Sequence, residues 1–167
     1  NKYGSEPPPT ADETVQEGQT RNHTSQNILA STAALPPDLL RAIYLIDTGT
    51  QISLTCTTTN LTNMEELPTP VTWGGASQDP AHLATHQGTL RISLVTLDKT
   101  LHRVNIPGVY FSAGARLNAL SISDLHAAGI NFRMDTEQQN EASITFGPRQ
   151  ERRTATVHWI ETLPFLP

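Results

Sequence analysis

Charge is what this chain has least of. Charged residues make up 16% of its 167 positions, against roughly 25% in an ordinary soluble domain. The lysines are Lys2 and Lys99, and the arginines are scattered. The nearest thing to a basic cluster is Arg149, Arg152 and Arg153 with Glu151 among them, which reads as a solvated turn or edge. With a net charge of −5, this excludes a nucleic-acid-binding surface, which needs clustered cations. A single cysteine, Cys56, excludes an intrachain disulfide and fits a reducing compartment. No apolar run approaches membrane-spanning length, and no signal peptide is visible. The start at Asn1 rather than Met points to a piece of a longer chain.

What is present centres on residues 42–50, Ala-Ile-Tyr-Leu-Ile-Asp-Thr-Gly-Thr. Five apolar residues with β-branched and aromatic members predict a buried strand. The strand runs into Asp47, and an ionised carboxylate near a buried strand must be paired or protonated. Gly49 suits the tight exit turn, while Thr48 and Thr50 supply hydroxyls that can hold the carboxylate. Alone, the Asp-Thr-Gly tripeptide reads equally well as a plain turn.

Residues 1–34 hold a proline triplet and many polar side chains, too little apolar surface to offset their ordering entropy. They are expected to be a linker or tail, and 35–167 one domain. Asn22-His23-Thr24 and Asn60-Leu61-Thr62 match a glycosylation sequon, but without a secretory signal they are discounted. Leu35 to Leu40 leads into the central strand. Ile52, Leu54 and Cys56 alternate with Ser53 and Thr55, the mark of a half-buried strand. A polar stretch, Thr57 to Asn63, follows. Val71 to Leu94 predicts a hairpin around a Gly-rich tip between Trp73 and Gln78. Leu101, Val104 and Ile106 predict a strand stopped by Pro107-Gly108, with the short run Val109-Tyr110-Phe111 after it.

Ser121 to Gly129 predicts the one helix, with Ser121 as cap, Asp124 at the positive end and Gly129 as stop. Ile122, Leu125 and Ala128 share its apolar face. Ile130, Phe132 and Met134, then Ala142, Ile144 and Phe146, form a further hairpin. Ala155, Val157 and Trp159 make a last alternating strand. Seven or eight short strands and one helix give an all-β class, with a closed or sandwiched small barrel as its natural architecture.

In order and spacing these pieces resemble the aspartic protease (retropepsin-like) of a copia-type LTR retrotransposon Gag-Pol polyprotein. The resemblance is carried by the hydrophobic strand and Asp47-Thr48-Gly49, the Gly-rich hairpin, Gly88-Thr89-Leu90, and Val104 to Tyr110. Asn118-Ala119-Leu120-Ser121 then opens a helix ending in Gly129, followed by Gly129-Ile130-Asn131-Phe132. It covers roughly 42–134. The chain departs from the family in the strip Ser112 to Arg116, and at Thr50, where the wider group often has Ala. The resemblance implies a closed acid-protease barrel with a flap hairpin, working as a homodimer without cofactor or metal. It implies Asp47 as the catalytic residue, with Thr48, Gly49 and Thr50 supporting the active site. Trp73, Gly74 and Gly75 would belong to the substrate-binding flap. The substrate implied is peptide segments of the chain's own polyprotein, including its self-release, in the cytoplasm within virus-like particles. No membrane or direct nucleic-acid contact is implied.

The chemistry agrees with one observation from the residues alone. Aspartic proteolysis needs two carboxylates close enough to share one proton, since like charges at that distance cannot both ionise. Asp12, Asp38, Asp79, Asp98, Asp124 and Asp135 all lack the strand-then-Gly context. A second copy related by a two-fold axis is the simplest source of the other carboxylate. The competing reading is an inactive or domesticated retropepsin-like dimerisation or peptide-binding module. A ubiquitin-pathway retropepsin-like domain fits the helix motif less well. His82 and His86 have the i, i+4 spacing of a helical zinc pair, but lack a following Glu and a third ligand. Cys56 is expected to be a small buried hydrophobe.

Overall fold

Tyr44, Leu45 and Ile46 are each 1–2% exposed. Successive strand residues point to opposite faces, so β1 (Tyr44–Asp47) is covered on both. That burial follows from its position: in the computed structural model it pairs parallel with β6 (Asn118–Ser121) and antiparallel with β11 (Leu163–Leu166). The structure describes residues 35–73, 82–134, 142–160 and 163–167, all within the unit Leu35–Pro167.

The remaining elements are α1 (Pro37–Ala42), β2 (Leu54–Thr55), β3 (Leu61–Thr72), β4 (Leu83–Val95), β5 (Leu101–Phe111), α2 (Ile122–Ala127), β7 (Asn131–Met134), β8 (Ala142–Phe146), β9 (Arg153–Thr156) and β10 (His158–Ile160). The protein is therefore mostly β, as expected. An eight-stranded sheet runs β10-β11-β1-β6-β2-β5-β4-β3, and a three-stranded sheet runs β7-β8-β9. The expected closed barrel is not found: among the described residues no ladder joins β10 to β3. The outer strand β3 contains Pro68 and Pro70, which have no N–H to offer a further strand. No helix among the described residues is long and apolar enough to cross a membrane.

The two sheets share one core. Leu90, Ile92, Leu94 and Ile106 of the large sheet cluster with Ala142, Ile144, Phe146 and Ala155 of the small one. Each buried Leu, Ile or Phe among them contributes about 1.5–3 kcal/mol relative to an exposed one. A bridge from Thr96 to Ala155 and a hydrogen bond from Leu97 N to Thr154 O (3.0 Å) fasten the β4–β5 turn to β9.

The helix is placed as expected: Ser121 caps it, Leu125 is its buried residue, and Gly129 takes φ +76° just beyond it. Several expectations are corrected. Leu35 to Leu40 does not simply lead in, because Pro37 at the first turn, Asp38 near the N-terminus and Arg41 in the last turn favour α1. The strand expected over 52–56 shrinks to Leu54–Thr55. Its polar members Ser53 and Thr55 are fully buried, while Ile52 and Cys56 are only half-buried. β3 begins inside the stretch expected to be a polar loop and runs through both prolines, which an edge strand tolerates. β5 continues through Pro107-Gly108, because Gly108 adopts φ +75° and the extra residue is absorbed in a bulge. The single strand expected through Trp159 is split between the two sheets as β9 and β10, and β11 was not foreseen.

At one level the long β3–β4 hairpin changes character. The register shifts between Thr62 and Glu65 on β3, and again between Gly88 and Leu90 against β5. Bulges bend strands, so β4 is flanked by an irregularity on each side at Gly88-Thr89. Gly88 is required there: a Cβ would lie 2.9 Å from Thr62 O and 3.0 Å from Leu61 Cγ. Beyond this level the hairpin leaves the main core. It joins a small cluster of Leu54, Ala84 and Ala115 with Cys56, Val71, Trp73 and Tyr110.

Candidate active site

β1 delivers Asp47 to the rim of the sheet. The carboxylate is half-buried, and the next two residues, Thr48 and Gly49, are exposed. The Gly49 N–H donates to Asp47 Oδ1 at 2.8 Å, folding the turn back on the acid. A Cβ at Gly49 would sit 3.3 Å from that same oxygen, so glycine keeps this contact uncrowded. Thr50 does not hold the carboxylate, contrary to the sequence expectation: its Oγ1 donates to Ile52 O at 3.0 Å. Thr50 instead shapes the far side of the loop. The Thr48 hydroxyl and Asp47 Oδ2 have no hydrogen-bond partner among the described residues.

Behind the loop lies a buried polar lattice that the sequence reading missed. Asn118, fully buried, donates from Nδ2 to Arg41 O and Ile43 O, each at 3.0 Å, and more weakly to Leu40 O at 3.5 Å. Its Oδ1 accepts from Thr55 Oγ1 and Cys56 N at 2.9 Å, and from Cys56 Sγ at 3.4 Å. One side chain thus ties the end of α1 and the entry to β1 to strand β2. Closer to Asp47, Ser53 N donates to Asp124 Oδ2 at 2.8 Å, and Ser121 N donates to Ser53 Oγ at 3.0 Å. In the β1–β6 ladder Asp47 lies opposite Ser121. The serine cap and Asp124 were legible as helix signals. Their partners more than sixty residues away carry no local signature.

Two nearby groups are held neutral. Burial pushes the Tyr44 phenol up, a bond to Asn60 offsetting part of it. Burial likewise pushes the Cys56 thiol up, with Arg41 opposing, so Cys56 is a thiol and a poor nucleophile at neutral pH.

Of the flap residues, Trp73 closes the described part of the β3 arm, and Gly74 and Gly75 lie outside the described residues. Trp73 N donates to His82 O at 2.9 Å, pairing the two arms where they leave the described region. Its indole Nε1 donates to Ser112 Oγ at 3.0 Å, and its ring meets the His82 ring edge-on at 4.9 Å. The indole is therefore fixed to its own domain at the base of the tip. His82 and His86 flank and enter a strand rather than a helix, so four residues separate them by about 13 Å, too far to share an ion. His86 bonds Thr85 Oγ1 instead. Among the described residues no group of three or more His, Cys, Asp or Glu side chains is placed to hold a metal.

A lone carboxylate with one oxygen on a glycine N–H and the other open can accept a proton or orient a water. It cannot be base and acid at the same moment, so it does not alone supply both halves of a concerted general acid–base step. No family model, no curated protein and no solved structure matches the chain.

Proposed function

We propose that the chain is an aspartic-type endopeptidase that acts as a homodimer, each copy supplying one Asp47. Its substrate is the Gag-Pol-type polyprotein that contains it. The observation that carries this reading is the placement of Asp47: a half-buried carboxylate with one oxygen unpartnered among the described residues, in an exposed Asp-Thr-Gly turn at the end of a buried strand. A two-fold axis at that turn brings two such acids together. Like charges that close cannot both ionise, so the pair holds one proton. The ionised member takes a proton from the attacking water, and the protonated member polarises the peptide carbonyl. Exposed Thr48 hydroxyls meet across the axis and stiffen the two turns. The β3–β4 hairpin, bent at Gly88, is suited to cover an extended peptide and exclude water. The peptide itself binds as an added strand.

The test is cleavage of a precursor in which the chain keeps its flanking segments, with Asp47 intact and as Asp47→Asn. Cleavage by the first alone is expected, fastest on the acid side of neutral. Equal processing of both, or a strictly monomeric species with full activity in sedimentation, refutes the reading.

A further inference from the structure

The loop that bears Asp47 is fastened at both ends to the start of one helix, through an unusual cap. In a capping box the residue at the third helical position accepts a hydrogen bond from the N–H of the cap residue, while the cap side chain bonds the N–H at that third position. Here only the second half is made within the helix: Asp124 N donates to Ser121 Oγ at 3.2 Å. The other half is opened and Ser53 is inserted. Ser121 N donates to Ser53 Oγ at 3.0 Å, and Ser53 N donates to Asp124 Oδ2 at 2.8 Å. Ser121 also faces Asp47 in the β1–β6 ladder. Residues 47 and 53, the two ends of the loop, therefore abut the same helix start. Ser53 and Ser121 are 0% exposed, so water cannot replace these bonds, and a buried donor left without an acceptor is costly.

We propose that Asp124 is a positioning residue for Asp47, acting through Ser53. Its carboxylate gives the Ser53 N–H a charged acceptor, a stronger bond than a neutral one. This holds the far end of the Asp-Thr-Gly loop against the strand that flanks the near end. The inference rests on the proteolytic reading above, because positioning matters only if Asp47 does chemistry. A misplaced reacting group about 1 Å off loses on the order of 10²-fold in rate.

The experiment compares wild type, Asp124→Ala and Asp124→Asn, with Asp47→Asn as the inactive reference. The substrate is the best-cleaved member of a randomised fluorogenic decapeptide pool. Asp124→Ala is expected to lower kcat by about 10²-fold while leaving KM nearly unchanged. Asp124→Asn, which keeps an acceptor oxygen, should recover most of the loss. Amide exchange provides a readout independent of activity: in Asp124→Ala the Ser53 N–H should exchange faster while that of Ile144, deep in the core, does not. Wild-type kcat in Asp124→Ala, equal impairment of the Ala and Asn variants, or parallel loss of protection at Ser53 and Ile144 would each overturn the assignment. If wild type and Asp47→Asn cleave alike, the proteolytic reading fails and the catalytic purpose of the clip falls with it. Ser53 exchange still reports whether the clip exists.

Discussion

Two aspartates in turns of this protein have been treated in opposite ways. Asp98, between β4 and β5, is closed in on itself: its Oδ1 accepts from Thr96 Oγ1 at 2.5 Å, Thr100 Oγ1 at 2.7 Å and Thr100 N at 3.2 Å. Those bonds, the Thr96 hydroxyl foremost, hold its carboxyl down to about 2. The turn they stiffen is the one docked on β9. Asp47 receives one bond, from Gly49 N, and the nearby Thr50 hydroxyl is turned to a carbonyl instead. Hydroxyls gathered around a carboxylate make an anchor. Hydroxyls withheld from it leave an oxygen available, and in this fold the withheld one stands at the end of a buried strand.

Exchanging the acids for amides breaks the comparison most sharply. Asp47→Asn should lower cleavage by roughly 10³-fold, within the range for loss of a general acid–base group, whereas Asp98→Asn should leave the rate unchanged; both are read by peptide hydrolysis at equal protein concentration. Next in size is the lattice behind Asp47. Asn118→Leu strips acceptors and donors from a fully buried site, and should cost roughly 3 kcal/mol or more, read from denaturant unfolding. Gly88→Ala forces a methyl against Thr62 O and should cost about 1–3 kcal/mol, with the distal hairpin amides losing exchange protection before those of β1. The smallest effect belongs to Asp98. Its carboxyl lies below the unfolded value of 3.8, so the stabilisation is present above that pH and is lost as pH falls from there towards about 2. The melting-temperature gap between wild type and Asp98→Asn should narrow over that interval.

What could be read from the sequence divides along physical lines. β1, α2 and the β7–β8 pair were legible because apolar periodicity or capping chemistry lies within a few residues. Ser53 and Thr55 defeated the alternation rule, since hydrogen bonds to Asp124, Ser121 and Asn118 make polar burial affordable there. Pro107-Gly108 looked like a stop, and only the unpaired residue of a bulge lets β5 run on. β11 carries Pro164 and few strand signals, and it owes its order to β1 and β10 as neighbours. Within the candidate site Asp47 was visible from its strand, whereas Asn118, Ser121 and Asp124 act through partners remote in sequence.

The pairing of β1 also carries a temporal consequence. Both its neighbours are encoded later: residues 118–121 on one side and 163–166 on the other. During synthesis the strand bearing Asp47 therefore has nothing to pair with until residues 118–121 have emerged, and it gains its second neighbour only with residues 163–166. Closing contacts so distant is the slow part of β folding. A nascent chain ending before residue 163 holds this strand with one of its two neighbours, so the order of the large sheet is completed last, by β11.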